Sequence, residues 1–202
     1  MQIFKSGAVV AALLLAHGHS CAAYTLNIVQ IGPDVVASGS GSIKTTAGVF
    51  VGNPGSPPVI IPNLGTILVG SNPPTDLYAM TTVGPADFGP GAGTLATSGV
   101  GDAAGLNPGA WVVVPVGYVS GAPLTPSTTV WAGTTIAALG MTSGTYTWTW
   151  GAGPDADAFT LVIASSGGSG VASVPTLNEW ALLAMSGLLS IAAFGVLRRR
   201  KF

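Results

Sequence analysis

The chain is poor in the residues on which most enzyme chemistry depends. It contains two histidines and one cysteine, and all three lie within its first 21 residues. A Ser-His-Asp or Cys-His arrangement needs an imidazole base, and zinc sites need histidine or cysteine ligands. Residues 24–164 contain neither residue type, and they show no glycine-rich phosphate-binding pattern between a strand and a helix. The composition therefore predicts a protein with no catalytic residues, no metal site and no cofactor.

Charge is scarce too, since only 6% of the 202 residues are charged. Lys44 is the one basic residue between positions 24 and 164, where it faces six aspartates, so this region carries a net charge of about −5. The six are Asp34, Asp76, Asp87, Asp102, Asp155 and Asp157. Binding to nucleic acid requires lysine and arginine to neutralise phosphates. The charge balance therefore excludes a nucleic-acid partner, and it disfavours docking of this region on anionic lipid.

The first 23 residues have the pattern of a Sec-type secretory signal peptide. Lys5 gives a positive start, residues 8–16 form a short apolar stretch, and residues 20–23 are small, so that cleavage is expected after Ala22 or Ala23. Removal of this segment would take both histidines and the cysteine with it. Two alternatives stay open: a permanent N-terminal anchor, and a lipoprotein attached at Cys21.

An uncharged apolar stretch near the C-terminus predicts a single transmembrane helix over Trp180–Leu197. At about 1.5 Å per residue this stretch spans about 27 Å, close to the thickness of a bilayer's hydrocarbon core. A basic cluster follows directly: Arg198, Arg199, Arg200 and Lys201. The positive-inside rule places this cluster in the cytoplasm, so the inner membrane would anchor the protein with its N-terminal side outside. The alternative is a buried core helix.

The residues before this stretch carry a recognisable motif. It consists of Val174, Pro175, Thr176, Leu177 and Trp180. Together with the apolar stretch and the basic end, the motif resembles the IPTL-CTERM sorting signal, a relative of the PEP-CTERM signal of Gram-negative bacteria. Ala181 stands where that family usually has glycine. The resemblance covers residues 174–202.

The resemblance implies that an exosortase-type transpeptidase processes the C-terminal segment, in a species that makes exopolysaccharide or biofilm. Residues 165–173 are rich in glycine and serine and predict a flexible linker. Pro175 lacks an amide donor and biases Val174 towards an extended conformation, which suits a peptidase substrate. The alternative is that the helix anchors the protein permanently.

Residues 24–164 predict one all-β domain, an antiparallel β-sandwich outside the membrane. Short β-branched and aromatic stretches alternate there with turn signals rich in glycine and proline. The expected strands are Tyr24–Gln30, Ser40–Thr46, Thr66–Val69, Leu77–Thr82, Trp111–Pro115, Thr128–Ala132, Thr145–Trp150 and Ala158–Ile163.

The clearest alternation is Thr-Tyr-Thr-Trp-Thr-Trp at residues 145–150. A period of two places Tyr146, Trp148 and Trp150 on one face of a strand and the threonines on the other. Two interpretations follow: the aromatic rings belong to the core, or they form an exposed strip that stacks on sugar rings of an exopolysaccharide. Trp111 and Trp131 would extend either surface.

Acidic residues offer two weaker hypotheses. Asp155 and Asp157 follow a glycine-rich turn with the spacing of two calcium ligands, although a calcium site needs six to eight oxygens. A polar turn explains the same residues. A glycosidase built on two of the six aspartates is also geometrically possible, but no pair is marked.

Two further segments resemble the β-rich domain of exported PEP-CTERM proteins. They are residues 24–41, and residues 139–151 together with 156–161. The resemblance implies export and a β-rich architecture, and no activity. The sequence thus predicts a non-enzymatic protein of the cell surface or extracellular matrix, with a carbohydrate-binding module or a permanently anchored surface protein as alternatives.

Overall fold

The computed structural model describes residues 22–164. Within them the chain forms thirteen β-strands and two single turns of 3-10 helix, at Pro62–Leu64 and Gly153–Asp155. The strands are β1 Ala22–Ile31, β2 Asp34–Ser42, β3 Val49–Gly52, β4 Val59–Ile61, β5 Thr66–Val69, β6 Thr75–Ala79, β7 Thr94–Leu95, β8 Ser98–Val100, β9 Ala104–Asn107, β10 Trp111–Pro115, β11 Pro123–Trp131, β12 Gly144–Trp150 and β13 Asp157–Ile163. The predicted all-β class is confirmed.

Six strands form one sheet in the order β12-β13-β1-β2-β11-β8. A two-residue turn makes β1–β2 an antiparallel hairpin, and a longer connection that contains the Gly153–Asp155 turn makes β12–β13 another. The expectation of a purely antiparallel fold is wrong, because β1 pairs with β13 in parallel. Two parallel strands need a long connection between them. Here strands β2 to β12 form that connection, because they lie between β1 and β13 in the chain.

The other seven strands form a second sheet in the order β3-β6-β10-β9-β5-β4-β7. All its pairings are antiparallel. The chain passes from this sheet to the six-stranded one between β7 and β8. There the amide of Ala96 donates to the carbonyl of Pro58 at 3.0 Å, and the amide of Thr97 donates to the carbonyl of Val130 at 2.8 Å.

Both sheets contribute side chains to one hydrophobic core. Leu26 and Ile28 on β1, for example, share it with Ile67 on β5 and Val112 on β10, and all four are fully buried. The amide of Gly70, just after β5, also donates to the buried Thr129 hydroxyl on β11 at 2.8 Å. Two sheets over a common core is the arrangement of a β-sandwich.

The second expected strand is wrong in its position. The sequence predicted Ser40–Thr46, whereas β2 runs over Asp34–Ser42 and ends before residues 43–46. The chain leaves the sheet there because the backbone amide of Lys44 donates to Asp157 at 2.5 Å and that of Thr45 donates to Ser120 at 2.9 Å. Five short strands were not expected at all: β3, β4, β7, β8 and β9.

The predicted signal peptide lies almost wholly outside the described residues, and the predicted linker and transmembrane helix lie wholly outside them. Among residues 22–164 the structure contains no helix with the length and hydropathy needed to cross a bilayer.

Candidate sorting signal and aromatic strand

The predicted sorting motif and the basic cluster fall beyond Ala164, outside the described residues. Their assignment therefore rests on sequence. The geometry of the domain bears instead on the second predicted site, the aromatic strand β12, and on the aspartates.

Strand β12 lies at one edge of the six-stranded sheet and pairs with β13 along its full length. Its side chains alternate as predicted: Trp148 and Trp150 are 0% and 4% exposed, while the three threonines between and beside them face solvent. Tyr146 is half-buried against the core. Phe88, from a loop, meets both the Tyr146 and the Trp148 rings edge-on, with centroids 6.0 and 6.4 Å apart.

The polar atoms of these aromatic side chains all have partners inside the domain. The indole nitrogen of Trp148 donates to the carbonyl of Pro85 at 2.7 Å, and that of Trp150 donates to the carbonyl of Lys44 at 2.9 Å. The hydroxyl of Tyr146 donates to the carbonyl of Thr142 at 2.9 Å. These bonds fix each ring in place, as buried tyrosine and tryptophan require.

The proposed glycan-stacking strip is therefore corrected for Trp148 and Trp150. A sugar ring stacks only on an aromatic face that is open to solvent, and these two faces are covered by protein. Trp131 is also buried, at 1% exposure, with its indole nitrogen bonded to the carbonyl of Thr94. Trp111 is half-buried on the other sheet and does not extend this surface. Core packing is the interpretation that the structure supports.

Most of the aspartates stabilise loops by accepting hydrogen bonds. Four of the six accept hydrogen bonds from backbone amides of distant segments: Asp34 from Gly133, Asp76 from Gly117, Asp102 from Thr125, and Asp157 from Lys44. Each contact joins a strand to a loop or to another strand across the fold. Such bonds to ionised acceptors are stronger than those between neutral groups. Sequence reasoning missed this role because the partner amides are far away in sequence.

Asp155 and Asp157, the two residues of the calcium hypothesis, do not share a site. The Asp157 carboxylate is buried at 4% exposure and accepts from the amides of Lys44 and Ala158, at 2.5 and 2.8 Å. Asp155 is exposed and accepts from the Thr46 hydroxyl at 2.8 Å. Within residues 22–164, no three metal-binding side chains of histidine, cysteine, aspartate or glutamate cluster together.

Burial makes the Asp157 carboxyl group a weaker acid than an ordinary aspartate. Desolvation raises the pKa of its carboxyl group to about 6, against the lowering effects of the Lys44 and Ala158 amides and of the Lys44 charge. The Lys44 ammonium itself donates to the carbonyl of Pro154 at 2.6 Å. Lys44 and Thr46 are thus tied to the turn between β12 and β13 and to the start of β13 through backbone and side-chain hydrogen bonds.

Tyr24 is a structural residue that the sequence did not mark. It is 1% exposed, its ring lies 5.1 Å from that of Phe159, and its hydroxyl is 2.9 Å from the Ser127 hydroxyl. Burial raises the pKa of this phenol to about 12. The ring crosses Gly39 on the neighbouring strand, where an added Cβ would lie 2.1 Å from the Tyr24 oxygen. Glycine at position 39 therefore makes room for the tyrosine.

Comparison with known proteins identifies one part of the chain. Residues 172–201 match the family model for the IPTL-CTERM motif, which covers the whole of the predicted motif, the apolar stretch and the basic cluster. No curated protein and no solved structure matches the chain at a significant level.

Proposed function

We propose that this chain, which carries an IPTL-CTERM motif at residues 172–201, is a non-enzymatic exported protein of the cell surface or extracellular matrix. An exosortase-type transpeptidase would release the β-domain from its membrane helix and pass it on. The domain would then act as a passive structural or interaction module in an exopolysaccharide or biofilm matrix.

The observation that carries the proposal is the order of features in the C-terminal segment. The matched region contains the motif around Pro175, an uncharged stretch long enough to span a bilayer, and four cations directly after it. Motif, span and charge together specify recognition, insertion and orientation. A cluster of four cations directly after the apolar stretch is not expected for a helix that is buried in a protein core.

The composition and geometry of the β-domain support a passive role. Residues 24–164 hold no histidine, cysteine or arginine. Four of the six aspartates are engaged by backbone amides that fix turns, and Asp155 is engaged by the Thr46 hydroxyl, which leaves these carboxylates poorly placed to act as a glycosidase pair. The outer face of the six-stranded sheet carries mostly uncharged hydroxyl groups, which suits a hydrated matrix.

The test is the C-terminus of the mature protein. We expect intact mass of the protein recovered from its native host to show loss of the residues after the Val174–Trp180 region. A deletion of the host's transpeptidase gene should restore the full-length mass and keep the protein in the membrane fraction. A mature chain that ends at Phe202 in the unmodified host would mean permanent anchoring and would remove the sorting proposal.

Two variants separate recognition from membrane insertion. Pro175→Ala should leave the protein in the membrane and reduce the released form at least tenfold, since it alters only the motif. Replacing Arg198, Arg199, Arg200 and Lys201 by serine should instead disturb orientation, because the positive-inside signal is lost. Equal release of the Pro175→Ala variant and the unmodified protein would count against recognition of this motif.

A further inference from the structure

Two peptide bonds at the end of the predicted signal peptide satisfy the preference for small residues one and three positions before the cut. Ser20 and Ala22 precede one bond, and Cys21 and Ala23 precede the next. The sequence does not distinguish them. The structure does, because Ala22 and Ala23 at the start of strand β1 pair only with β13, whereas Tyr24 pairs with both β13 and β2.

Tyr24 is the first residue of β1 with a paired strand on each side. It lies opposite Phe159 on β13 and opposite Gly41 on β2. At 1% exposure, its backbone nitrogen has almost no access to water. A cut after Ala23 would turn this nitrogen into an α-ammonium group, which is mostly charged at neutral pH. Burying that charge between two strands is unfavourable.

The carbonyl group of Ala23 also lies very close to the backbone of the neighbouring strand β2. Gly41 has a φ of +131°, and a Cβ added there would lie 2.1 Å from the carbonyl oxygen of Ala23. The backbone of β2 thus approaches the Ala23 carbonyl so closely that only glycine fits. A cut after Ala23 removes this carbonyl and the pairing of Ala23 with Ala158.

A cut one residue earlier avoids both costs and gives up only the pairing of Ala22 with Asp157. Ala23 keeps its carbonyl and its pairing, and its own side chain is exposed. An α-ammonium on Ala23 lies at the solvent-exposed start of the strand, where water can hydrate it. The buried Tyr24 then keeps an ordinary peptide bond on its N-terminal side.

We propose that signal peptidase cuts between Ala22 and Ala23, so that the exported chain begins at Ala23. This inference rests on the proposed export. The reaction is a hydrolysis: the C–N bond of the Ala22–Ala23 peptide breaks, the hydroxyl of water joins the Ala22 carbonyl carbon, and the Ala23 nitrogen takes the remaining hydrogen. The products are the Ala22 carboxyl group and the Ala23 amine.

The experiment is N-terminal sequencing, with intact mass, of the full chain expressed from its own signal peptide in an export-competent bacterial cell. A mature N-terminus at Ala23 is the expected result. A start at Tyr24, or at any other processed position, would overturn the inference and leave export standing. Retention of Met1 and the residues after it would remove the export proposal itself.

Two matched variants place the same polar side chain on either side of the proposed bond. Ala22→Gln puts a large residue directly before the proposed cut and should abolish the Ala23 N-terminus, with any remaining processing moved to the bond after Ala23, which keeps small residues before it. Ala23→Gln puts it directly after the cut, at an exposed position, and should leave the amount of processing and the bond unchanged. The reverse pattern would assign the cut to the bond after Ala23.

Discussion

The two sheets share one core, yet their outer faces differ in chemistry. On the six-stranded sheet the outward positions carry mostly hydroxyl groups, among them Thr25, Ser38, Ser40, Thr128, Thr145, Thr147, Thr149 and Thr160. On the seven-stranded sheet, Leu68 and Val113 are 5% and 1% exposed although neither belongs to the shared core. Their neighbours Ile67 and Val112 do belong to it. At its strands β5 and β10, this second sheet is apolar and buried on both faces.

The difference appears in the sequence as two kinds of strand. A sheet with one wet face shows alternating polar and apolar residues, as β12 does, whereas a sheet covered on both faces shows continuous apolar residues. Residues 67–69 and 112–114 are of the second kind. Leu68 and Val113 are buried by the chain itself. Contiguous apolar strands in this protein therefore indicate strands that the chain covers on both faces.

The largest effect is expected on the core side of the six-stranded sheet. Trp148→Ala should lower the free energy of unfolding by about 3–5 kcal/mol, because it removes a fully buried ring and leaves a cavity. Its neighbour Thr147 faces solvent, so Thr147→Ala should change stability by less than about 0.5 kcal/mol. Urea denaturation of the purified variants measures both. Similar losses in the two variants would contradict the assignment of faces.

A smaller change in the free energy of unfolding tests whether both faces of the seven-stranded sheet are shielded from water. Val113→Thr, on the outer face, should cost about 1–3 kcal/mol, as should Val112→Thr in the core, because each buries a hydroxyl group. The matched control is Val130→Thr on the half-buried outer face of the six-stranded sheet, where about 0.5 kcal/mol or less is expected. If Val113→Thr lost no more stability than Val130→Thr, the outer face of the seven-stranded sheet would be exposed to water.

The smallest effect concerns pH and the buried end of β13. The folded-state pKa of Asp157, about 6, lies above its ordinary value of 3.8, so the folded protein holds this proton more tightly than the unfolded chain. Stability should therefore rise by about 1 kcal/mol as pH falls from 7 to 5, and this gain is lost again as pH rises through 6. Denaturation at both pH values measures the change. Asp157→Asn should remove it, and a variant that keeps the full rise would exclude Asp157 as its source.

Local patterns predicted local structure well. Alternation at residues 145–150 identified both the strand and its two faces, and β5 and β10 have the predicted bounds. The error at β2 has a physical cause: Gly39 looks like a turn residue, but it lies within the strand because the Tyr24 ring approaches it closely. Such a requirement comes from the neighbouring strand, so the local sequence does not contain it.

Long-range contacts were beyond the sequence for the same reason. The parallel pairing of β1 with β13 and the amide partners of the aspartates join segments about a hundred or more residues apart in several cases. No periodicity encodes which distant strand lies alongside. The sorting motif is the opposite case, because its residues are contiguous, and the match to residues 172–201 agrees with the prediction from the motif.

The parallel pair of terminal strands has a mechanical consequence. Residues 22–28 lie beside residues 157–163 and run in the same direction. A stretching force between the start of β1 and the end of β13 therefore acts along the strands and must shear all their hydrogen bonds together. In a hairpin pulled at its two open ends, by contrast, the bonds break one after another. Forced unfolding is governed by the unfolding barrier, so tension along this axis meets the highest resistance that the strand pair can offer.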